Sequence, residues 1–283
     1  MLHSYFIPSL RYLSAMLALL CLSLQSSLGL ASANCSTLTF SGNAEYPPML
    51  WQDPSDPGRL MGTAVEVLQM ALEPIHVKLD ARYEGPWSRA QSKAQQGDID
   101  GLAGAFYTRQ RTRYLDYIEP PLTTIPSVIF VPWNSKMLKE TGGRLDQWDQ
   151  LKTLRGVTLI NNSFGQEFDS YANRELDIQS VRSITLAFKT LLAGRSDYLI
   201  YELQPGLAYS DAMGLTGQVR FLAPEINSER LYYTMAKASP CNSVAVKQQI
   251  AHFLSTAIDA QKIEEISLKY RRLWQQQVKR QQY

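Results

Sequence analysis

The chain has 283 residues, of which 45% are hydrophobic and 19% are charged, and its formal net charge is +2. This is the composition of an ordinary globular protein, and the chain is long enough for two modest lobes, each with a hydrophobic core. A net charge so close to zero does not indicate a polyanionic partner, so we predict that the protein does not bind nucleic acid.

Residues 1–33 have the pattern of a cleaved export signal. Arg11 supplies a positive charge, residues 12–24 form an apolar run, and Ala31 and Ala33 fit the small-residue rule for cleavage. The apolar run is short for a membrane span. We therefore expect cleavage after Ala33 and export to the periplasm. An uncleaved membrane anchor is the alternative.

The first part of the mature chain predicts alternating strands and helices. The predicted strands are residues 38–40, 77–83 and 102–106, and the predicted helices are residues 63–72 and 87–96. Residues 41–48 and 53–58 are predicted to be a loop and a turn, because they are rich in Pro, Gly, Asn and Asp.

A short motif connects the second of these helices to the strand and turn that follow it. Gly97 can end the helix in the left-handed conformation, and Asp100 suits the next turn. After the strand at residues 102–106, Thr108 is predicted to cap a new helix that carries Arg111. A helix N-terminus and a guanidinium both supply fixed donors and positive charge, so this pattern favours a carboxylate receptor.

The rest of the chain continues the alternation. The predicted strands are residues 126–131, 156–160, 178–181, 198–202, 219–222 and 231–236, and the predicted helices are residues 148–154, 184–193, 242–260 and 263–274. We predict a loop at residues 135–146 and a frayed tail at residues 279–283. Gly194 to Asp197, before the strand at 198–202, repeats the helix, turn and strand order of the first motif, which indicates two lobes of similar plan.

Motifs for metal, cofactor or covalent chemistry are not found in the sequence. His76 and His252 have no Cys or His neighbours at metal-binding spacing, so we predict no metal. The chain has no Walker loop, no G-x-G-x-x-G sequence and no nucleophile-elbow motif. We therefore predict no cofactor and assign no catalytic residue.

The order of these motifs resembles that of the family 3 periplasmic solute-binding proteins, the amino-acid type in which two lobes close around a ligand. In that family a G-x-x-D turn, a strand and a T-x-x-R sequence follow one another, as Gly97, Asp100, Thr108 and Arg111 do here. The resemblance covers nearly all of the mature chain. It implies an α/β, two-lobe periplasmic-binding-protein fold of the type II (Venus-flytrap) kind, with two crossing hinge strands.

The resemblance also implies where the lobes divide. Residues 34–127 and 231–283 would form the first lobe, and residues 128–230 would form the second. Cys35 and Cys241 are the two cysteines that remain after signal cleavage. Cys241 lies where the chain would re-enter the first lobe, so a disulfide with Cys35 at the mature N-terminus is possible in an oxidising compartment. Two unpaired thiols are the alternative.

The resemblance assigns roles to four residues around a ligand. Arg111 would hold the ligand's carboxylate. Glu202, at a position where the family most often has aspartate, would hold the amino group. Tyr46 and Trp87 would cover the ligand and exclude water. The alternatives are that Trp87 only packs against the lobe surface and that Glu202 faces solvent at the end of its strand.

The same resemblance bears on four further residues. Ser163 matches a turn that opens a helix whose N-terminus donates to the ligand's carboxylate, and Asn162 would supply the left-handed backbone there. Phe106 and Phe164 stand where hydroxyl residues are common in the family. They would make the cleft more apolar, which favours an aromatic amino acid or a carboxylate that is not an amino acid.

The resemblance implies an exported, monomeric solute-binding protein, not an enzyme. It would capture a small polar ligand, an amino acid or a related carboxylate, and deliver it to an inner-membrane ABC permease. A second possibility is that the same fold presents its ligand to a membrane sensor. A third is an enzyme similar to the periplasmic cyclohexadienyl dehydratases, in which Glu202 with a raised pKa would be the general acid.

Overall fold

Strands and helices alternate along residues 35–281, the part of the chain that the computed structural model describes. The strands are β1 (Thr37–Ser41), β2 (Glu45–Tyr46), β3 (Leu50–Asp53), β4 (Asp56–Met61), β5 (Lys78–Ala81), β6 (Gly101–Phe106), β7 (Leu115–Tyr117), β8 (Thr123–Pro132), β9 (Arg155–Leu159), β10 (Asp177–Val181), β11 (Tyr198–Glu202), β12 (Val219–Phe221) and β13 (Asn227–Ala236). The helices are α1 (Thr63–Leu72), α2 (Trp87–Gln96), α3 (Lys136–Thr141), α4 (Gln166–Glu175), α5 (Ile184–Leu192), α6 (Leu203–Ala212), α7 (Val244–Thr256) and α8 (Ala260–Gln281). The predicted export signal lies outside the described residues.

Ten strands form one curled sheet, in the order β10-β9-β11-β8-β13-β6-β1-β5, with β12 paired to β8 and β7 paired to β13. The strands at each end of this order are parallel to their neighbours. Between them, β8 and β13 are ten residues long each and pair antiparallel. Each parallel end with its helices forms a lobe, and β8 and β13 connect the two lobes.

The first lobe contains β1, β5 and β6, covered by α1, α2 and α7. The buried positions of α1 recur every three or four residues, as in Ala64, Val67, Leu68 and Ala71. This face packs on β5, β6 and α7. The second lobe contains β9, β10 and β11, with α5 and α6 packed against them. Burial of these apolar faces is the main stabilising term in both lobes.

Several predicted elements differ from the structure. The predicted loop at residues 135–146 contains α3, which starts after Ser135, whose hydroxyl accepts from Leu138 N at 3.1 Å. That helix ends at Gly142, which has a φ of 61°. Ser135 and Gly142 are ordinary helix-cap residues, but the polar composition of the segment favoured the prediction of a loop. α6 was not predicted, and Pro205 and Gly206 lie within it. Proline is tolerated in the first turn of a helix.

Other differences concern two short strands and the extent of two helices. The predicted loop at 41–48 contains β2, and the predicted turn at 53–58 overlaps the first half of β4. Both strands pair with β3 in a small separate sheet. The predicted frayed tail is wrong at residues 279–281, since α8 continues to Gln281. The helix predicted after Thr108 is a single 3-10 turn, Arg111–Arg113.

A disulfide joins Cys35 and Cys241, whose Cα atoms are 5.7 Å apart. It ties the start of β1 to the loop between β13 and α7, and both cysteines pack against the main hydrophobic core. Among residues 35–281, no helix is long and apolar enough to cross a membrane.

Candidate ligand-binding site

A small cavity lies between the two lobes. Five of the residues predicted to bind a ligand line it: Tyr46, Trp87, Phe106, Arg111 and Glu202. The first four belong to the first lobe, and Glu202 ends β11 in the second lobe. The space open to a water-sized sphere is about 20 Å³, which is enough for about one water molecule. The lobes are therefore closed on one another in this structure.

Arg111 is the cationic group of this cavity, and it is only 5% exposed. Its main-chain N–H donates to the Thr108 hydroxyl at 3.1 Å, which positions it in the 3-10 turn. Its Nε donates to Gln91 Oε1 at 3.1 Å, and its Nη1 donates to the Phe106 carbonyl at 3.0 Å. The guanidinium also lies 5.2 Å from the centre of the Trp87 ring, a favourable cation–π arrangement.

The third bond of Arg111 crosses between the lobes. Its Nη2 donates to the main-chain oxygen of Asn161 at 2.9 Å, and Gln91 Nε2 donates to the same oxygen at 3.2 Å. Asn161 follows β9 and has a φ of 60°, in the left-handed region that Asn tolerates better than most residues. We predicted this backbone conformation for Asn162, and that was wrong by one residue. The left-handed turn presents the Asn161 carbonyl to the first lobe.

Glu202 is the acid of the cavity, and it is 1% exposed, so the alternative of a solvent-facing strand end is wrong. Its Oε1 accepts from Asn162 Nδ2 at 3.3 Å, while Oε2 is buried with no hydrogen-bond partner. Burial raises the pKa of Glu202 to about 7, and hydrogen bonds and the charge of Arg111 offset only part of this effect. Near neutral pH this side chain can therefore be either a neutral donor or a charged acceptor.

Tyr46 and Trp87 form apolar walls of the cavity. Both side chains are buried. The Tyr46 ring packs edge-on against Tyr201 of β11, with centroids 6.4 Å apart, and the Tyr46 hydroxyl is buried without a partner. Trp87 starts α2, as predicted from the sequence. Trp87 does more than pack on the lobe surface, because its ring lies beside Arg111 at the cavity.

Ser163 and Phe164 do not line the cavity. The Ser163 hydroxyl donates to Asp169, and the Phe164 N–H donates to Asp169 Oδ1 at 2.9 Å. Asp169 of α4 therefore occupies the donors that we predicted for a ligand carboxylate. The Phe164 ring packs on Phe168, with centroids 6.1 Å apart, inside the core of the second lobe.

Sequence reasoning missed Gln91 and Asn43. Gln91 is buried one turn after Trp87 on the apolar face of α2, and it contacts both Arg111 and Asn161. A polar residue among the buried positions Trp87, Ala90 and Ala94 was the available signal, because a buried amide needs partners. Asn43 lines the cavity from a segment that was predicted only as loop, so its sequence carried no such signal.

The described residues do not form a metal site. Among residues 35–281 there is no group of three or more His, Cys, Asp or Glu side chains placed to hold an ion. Within the same residues, no carboxylate forms an ion pair with Arg111. The cavity thus presents a buried cation from one lobe and a buried, readily protonated acid from the other.

Comparisons with known proteins show the fold. No protein-family model matches the sequence, and no curated protein matches it. Among solved structures, the sensor domain of a histidine kinase with similarity to periplasmic binding proteins is 22% identical, with a TM-score of 0.69 over 83% of this chain and 95% of that chain. A truncated, arginine-bound ArgBP from T. maritima is 16% identical, with a TM-score of 0.64 over 79% of this chain and 97% of that chain.

A third similar structure is the ancestral amino acid-binding protein AncCDT-1, a precursor of cyclohexadienyl dehydratase. It is 18% identical, with a TM-score of 0.62 over 83% of this chain and 95% of that chain. Structural similarity at such low sequence identity shows the fold, and it does not identify the ligand. The chain has the two-lobe fold of the periplasmic binding proteins, with β8 and β13 as crossing strands, which confirms the fold predicted from the sequence.

Proposed function

We propose that this protein is an exported solute-binding protein that captures a small polar ligand between its lobes and delivers it to an ABC transporter. The observation that supports this most directly is that Arg111 from the first lobe and Glu202 from the second lobe line the same cavity. A ligand that contacts both residues draws the lobes together, because only then are both contacts made. The cavity of this structure has room for about one water molecule, so the lobes stand further apart around a bound ligand than they do here.

The charge of Arg111 supports an anionic group on the ligand. The guanidinium has five N–H donors, and three of its hydrogen bonds go to neutral acceptors. A buried charge without a counter-charge is costly, so a carboxylate beside the remaining donors would be strongly favoured. An amino acid or a related small carboxylate fits this requirement.

Glu202 distinguishes between these two ligand classes. An amino acid would place its ammonium near Glu202, and this contact needs the ionised carboxylate. Because the pKa of Glu202 is about 7, the affinity for an amino acid should then rise between pH 6 and pH 8. A plain carboxylate would accept a hydrogen bond from protonated Glu202, so its affinity should fall over the same range.

Export to the periplasm is part of the proposal. It is supported by the predicted signal sequence and by the Cys35–Cys241 disulfide, a bond typical of oxidising compartments.

The likeness to a histidine kinase sensor domain makes presentation of the ligand to a membrane sensor the second candidate. Co-purification from detergent-solubilised membranes, with the bound protein identified as a permease or as a sensor kinase, separates the two.

Binding, and not catalysis, is our proposal for the site. The similarity to the dehydratase precursor AncCDT-1, together with the buried acid Glu202, nevertheless makes one assay worthwhile. Arogenate and prephenate should be recovered unchanged after incubation with the protein. Formation of their dehydration products, abolished in Glu202→Gln, would instead establish the enzyme.

Thermal unfolding of residues 34–283 against amino acids, small carboxylates and polyamines tests the proposal. A ligand at one hundred times its dissociation constant stabilises by about 2.7 kcal/mol, a shift of about 5–10 °C for a chain of this size. Arg111→Ala should abolish the shift. Arg113→Ala, an exposed arginine of the same 3-10 turn, is the matched control and should keep it. A shift that survives Arg111→Ala would contradict the proposed site.

A further inference from the structure

Residues 43–46 of the first lobe dock on the second lobe beside the cavity. Asn43 Nδ2 donates to the Tyr201 hydroxyl at 3.3 Å, and that hydroxyl donates to the main-chain oxygen of Glu45 at 2.8 Å. The Glu45 N–H in turn donates to Asn43 Oδ1 at 3.0 Å. Tyr201 immediately precedes Glu202 on β11. The segment thus touches the strand end that carries the acid of the cavity.

The side chain of Glu45 makes a second contact across the lobe interface. Its Oε2 accepts from the main-chain N–H of Ile184, the first residue of α5, at 2.9 Å. Within the second lobe, Ser183 caps the same helix by accepting from Leu186 N at 3.2 Å. A helix leaves four N–H groups without partners at its N-terminus. Glu45 satisfies one of them from the other lobe.

We propose that Glu45 is a positioning residue for closure of the cleft, one that holds the start of α5 against residues 43–46 and thereby sets ligand affinity without contacting the ligand. Only the predicted effect of Glu45 on ligand affinity rests on the proposed binding function. Asn43 and Tyr46, on either side of Glu45, line the cavity, and Glu45 itself does not. Its effect would therefore reach the ligand through these two neighbours.

The surroundings of Glu45 predict how closure depends on pH. Burial raises the pKa of Glu45 to about 7, and the Ile184 N–H lowers it only in part. The chamber beside Glu45 is lined by Asp53, Tyr83, Arg182 and Tyr209, and Tyr201 contacts its main chain. When the lobes separate, water can solvate the carboxylate and its pKa returns toward the ordinary value of 4.5. Closure therefore takes up a proton, and rising pH from about 5 to 7 should favour opening.

Hydrogen exchange of the ligand-free protein tests the proposal independently of any ligand. The measured quantity is the protection factor of the amides at the start of α5 and in residues 43–46, at pH 6 and pH 8. Glu45→Ala removes the acceptor and should reduce protection at Ile184 about tenfold or more. Glu45→Gln keeps an acceptor oxygen but cannot ionise, so it should keep protection and lose part of the wild-type decrease between pH 6 and pH 8. Glu167→Gln, an exposed acid in the first turn of α4, is the matched control and should behave as wild type.

The same variants give a second readout once a ligand is known. Glu45→Ala should weaken its binding, and Glu45→Gln should restore wild-type affinity at pH 6. The proposal is overturned if Glu45→Ala keeps the protection of α5, or if Glu45→Gln shows the full pH dependence of wild type. Failure of every ligand in the panel would count against the proposed function and would leave the exchange result unaffected.

Discussion

Trp274 of α8 packs against Tyr209 of α6, with ring centroids 5.2 Å apart. Its indole N–H also donates to the main-chain oxygen of Ala208 at 3.4 Å. On its other side, Trp274 packs edge-on against Trp51 of the first lobe, at 5.7 Å. Since α8 is joined to the first lobe and α6 belongs to the second, this indole is a contact between the lobes.

Replacing Trp274 by alanine should therefore destabilise the protein. We expect the free energy of unfolding to fall by about 2–4 kcal/mol, because the change removes contacts with both aromatic partners. Denaturant unfolding followed by circular dichroism measures it. Trp133→Ala is the matched control, since Trp133 is 59% exposed, and its effect should stay within about 0.5 kcal/mol. Equal effects of the two variants would contradict the bridging role.

The Cys35–Cys241 disulfide should contribute substantially to stability. It closes a loop over a sequence separation of 206 residues, and loss of such a bridge typically costs about 2–5 kcal/mol. The double variant Cys35→Ser, Cys241→Ser should unfold at a correspondingly lower urea concentration. Reductant should lower the midpoint of wild type and leave that of the double variant unchanged. A reductant effect on the double variant would show that another process is being measured.

Glu202 should make the protein less stable as the pH rises. Its pKa is about 7 in the folded state against an ordinary value of 4.5, so its contribution is greatest below about pH 4.5 and is lost as the pH rises to about 7. Glu202→Gln cannot ionise. It should raise the free energy of unfolding by about 1–3 kcal/mol at pH 8 and change it little at pH 5. Urea titrations at the two pH values measure this, and a variant destabilised at pH 8 would contradict the assignment.

Gly62 should not tolerate a side chain. It precedes α1 with a φ of 135°, and a Cβ atom there would lie 2.4 Å from the main-chain oxygen of Met49. That oxygen accepts from Ala64 N at 2.9 Å, and Met49 lines the cavity. Gly62→Ala should therefore cost more than about 3 kcal/mol. Gly142→Ala, with a φ of 61° and no atom within 4 Å of its Cβ, should cost about 1 kcal/mol. Thermal unfolding compares the two, and similar costs would rule out the backbone clash.

Local signals predicted the elements that carry a complete pattern within themselves. The helices predicted at 63–72 and 87–96 are α1 and α2, and the strand predicted at 198–202 is β11. The two helices have regular apolar spacing and a clear stop, such as Gly97 after α2, and β11 is a short run whose five residues are all buried. Where the local signals were weak or contradictory, as in α3 and α6, the prediction failed. Packing against the rest of the fold decides such segments.

Some residues of the candidate site could also be predicted from the sequence, and others could not. The family resemblance assigned Arg111 of the T-x-x-R sequence and Glu202 at the end of a predicted strand to one ligand, and both residues line the cavity. The sequence analysis did not show that Asp169 takes the donors at Ser163 and Phe164, although Asp169 lies in the first turn of α4, only six and five residues further along the chain. It also could not show that Arg111 bonds to Asn161, since those residues are far apart in the chain and meet only when the lobes close.

By itself, the sequence determined most of the order of strands and helices, and this order favours a two-lobe fold. Periodicity, caps and turn residues act over a few positions, so they can be recognised without knowledge of the rest of the chain. Only the tertiary structure decided which polar groups meet across the lobes, as Glu45 meets Ile184. It also decided that Glu202 loses its water and has a raised pKa. Both depend on burial between segments distant in the chain, and local sequence patterns do not encode that burial.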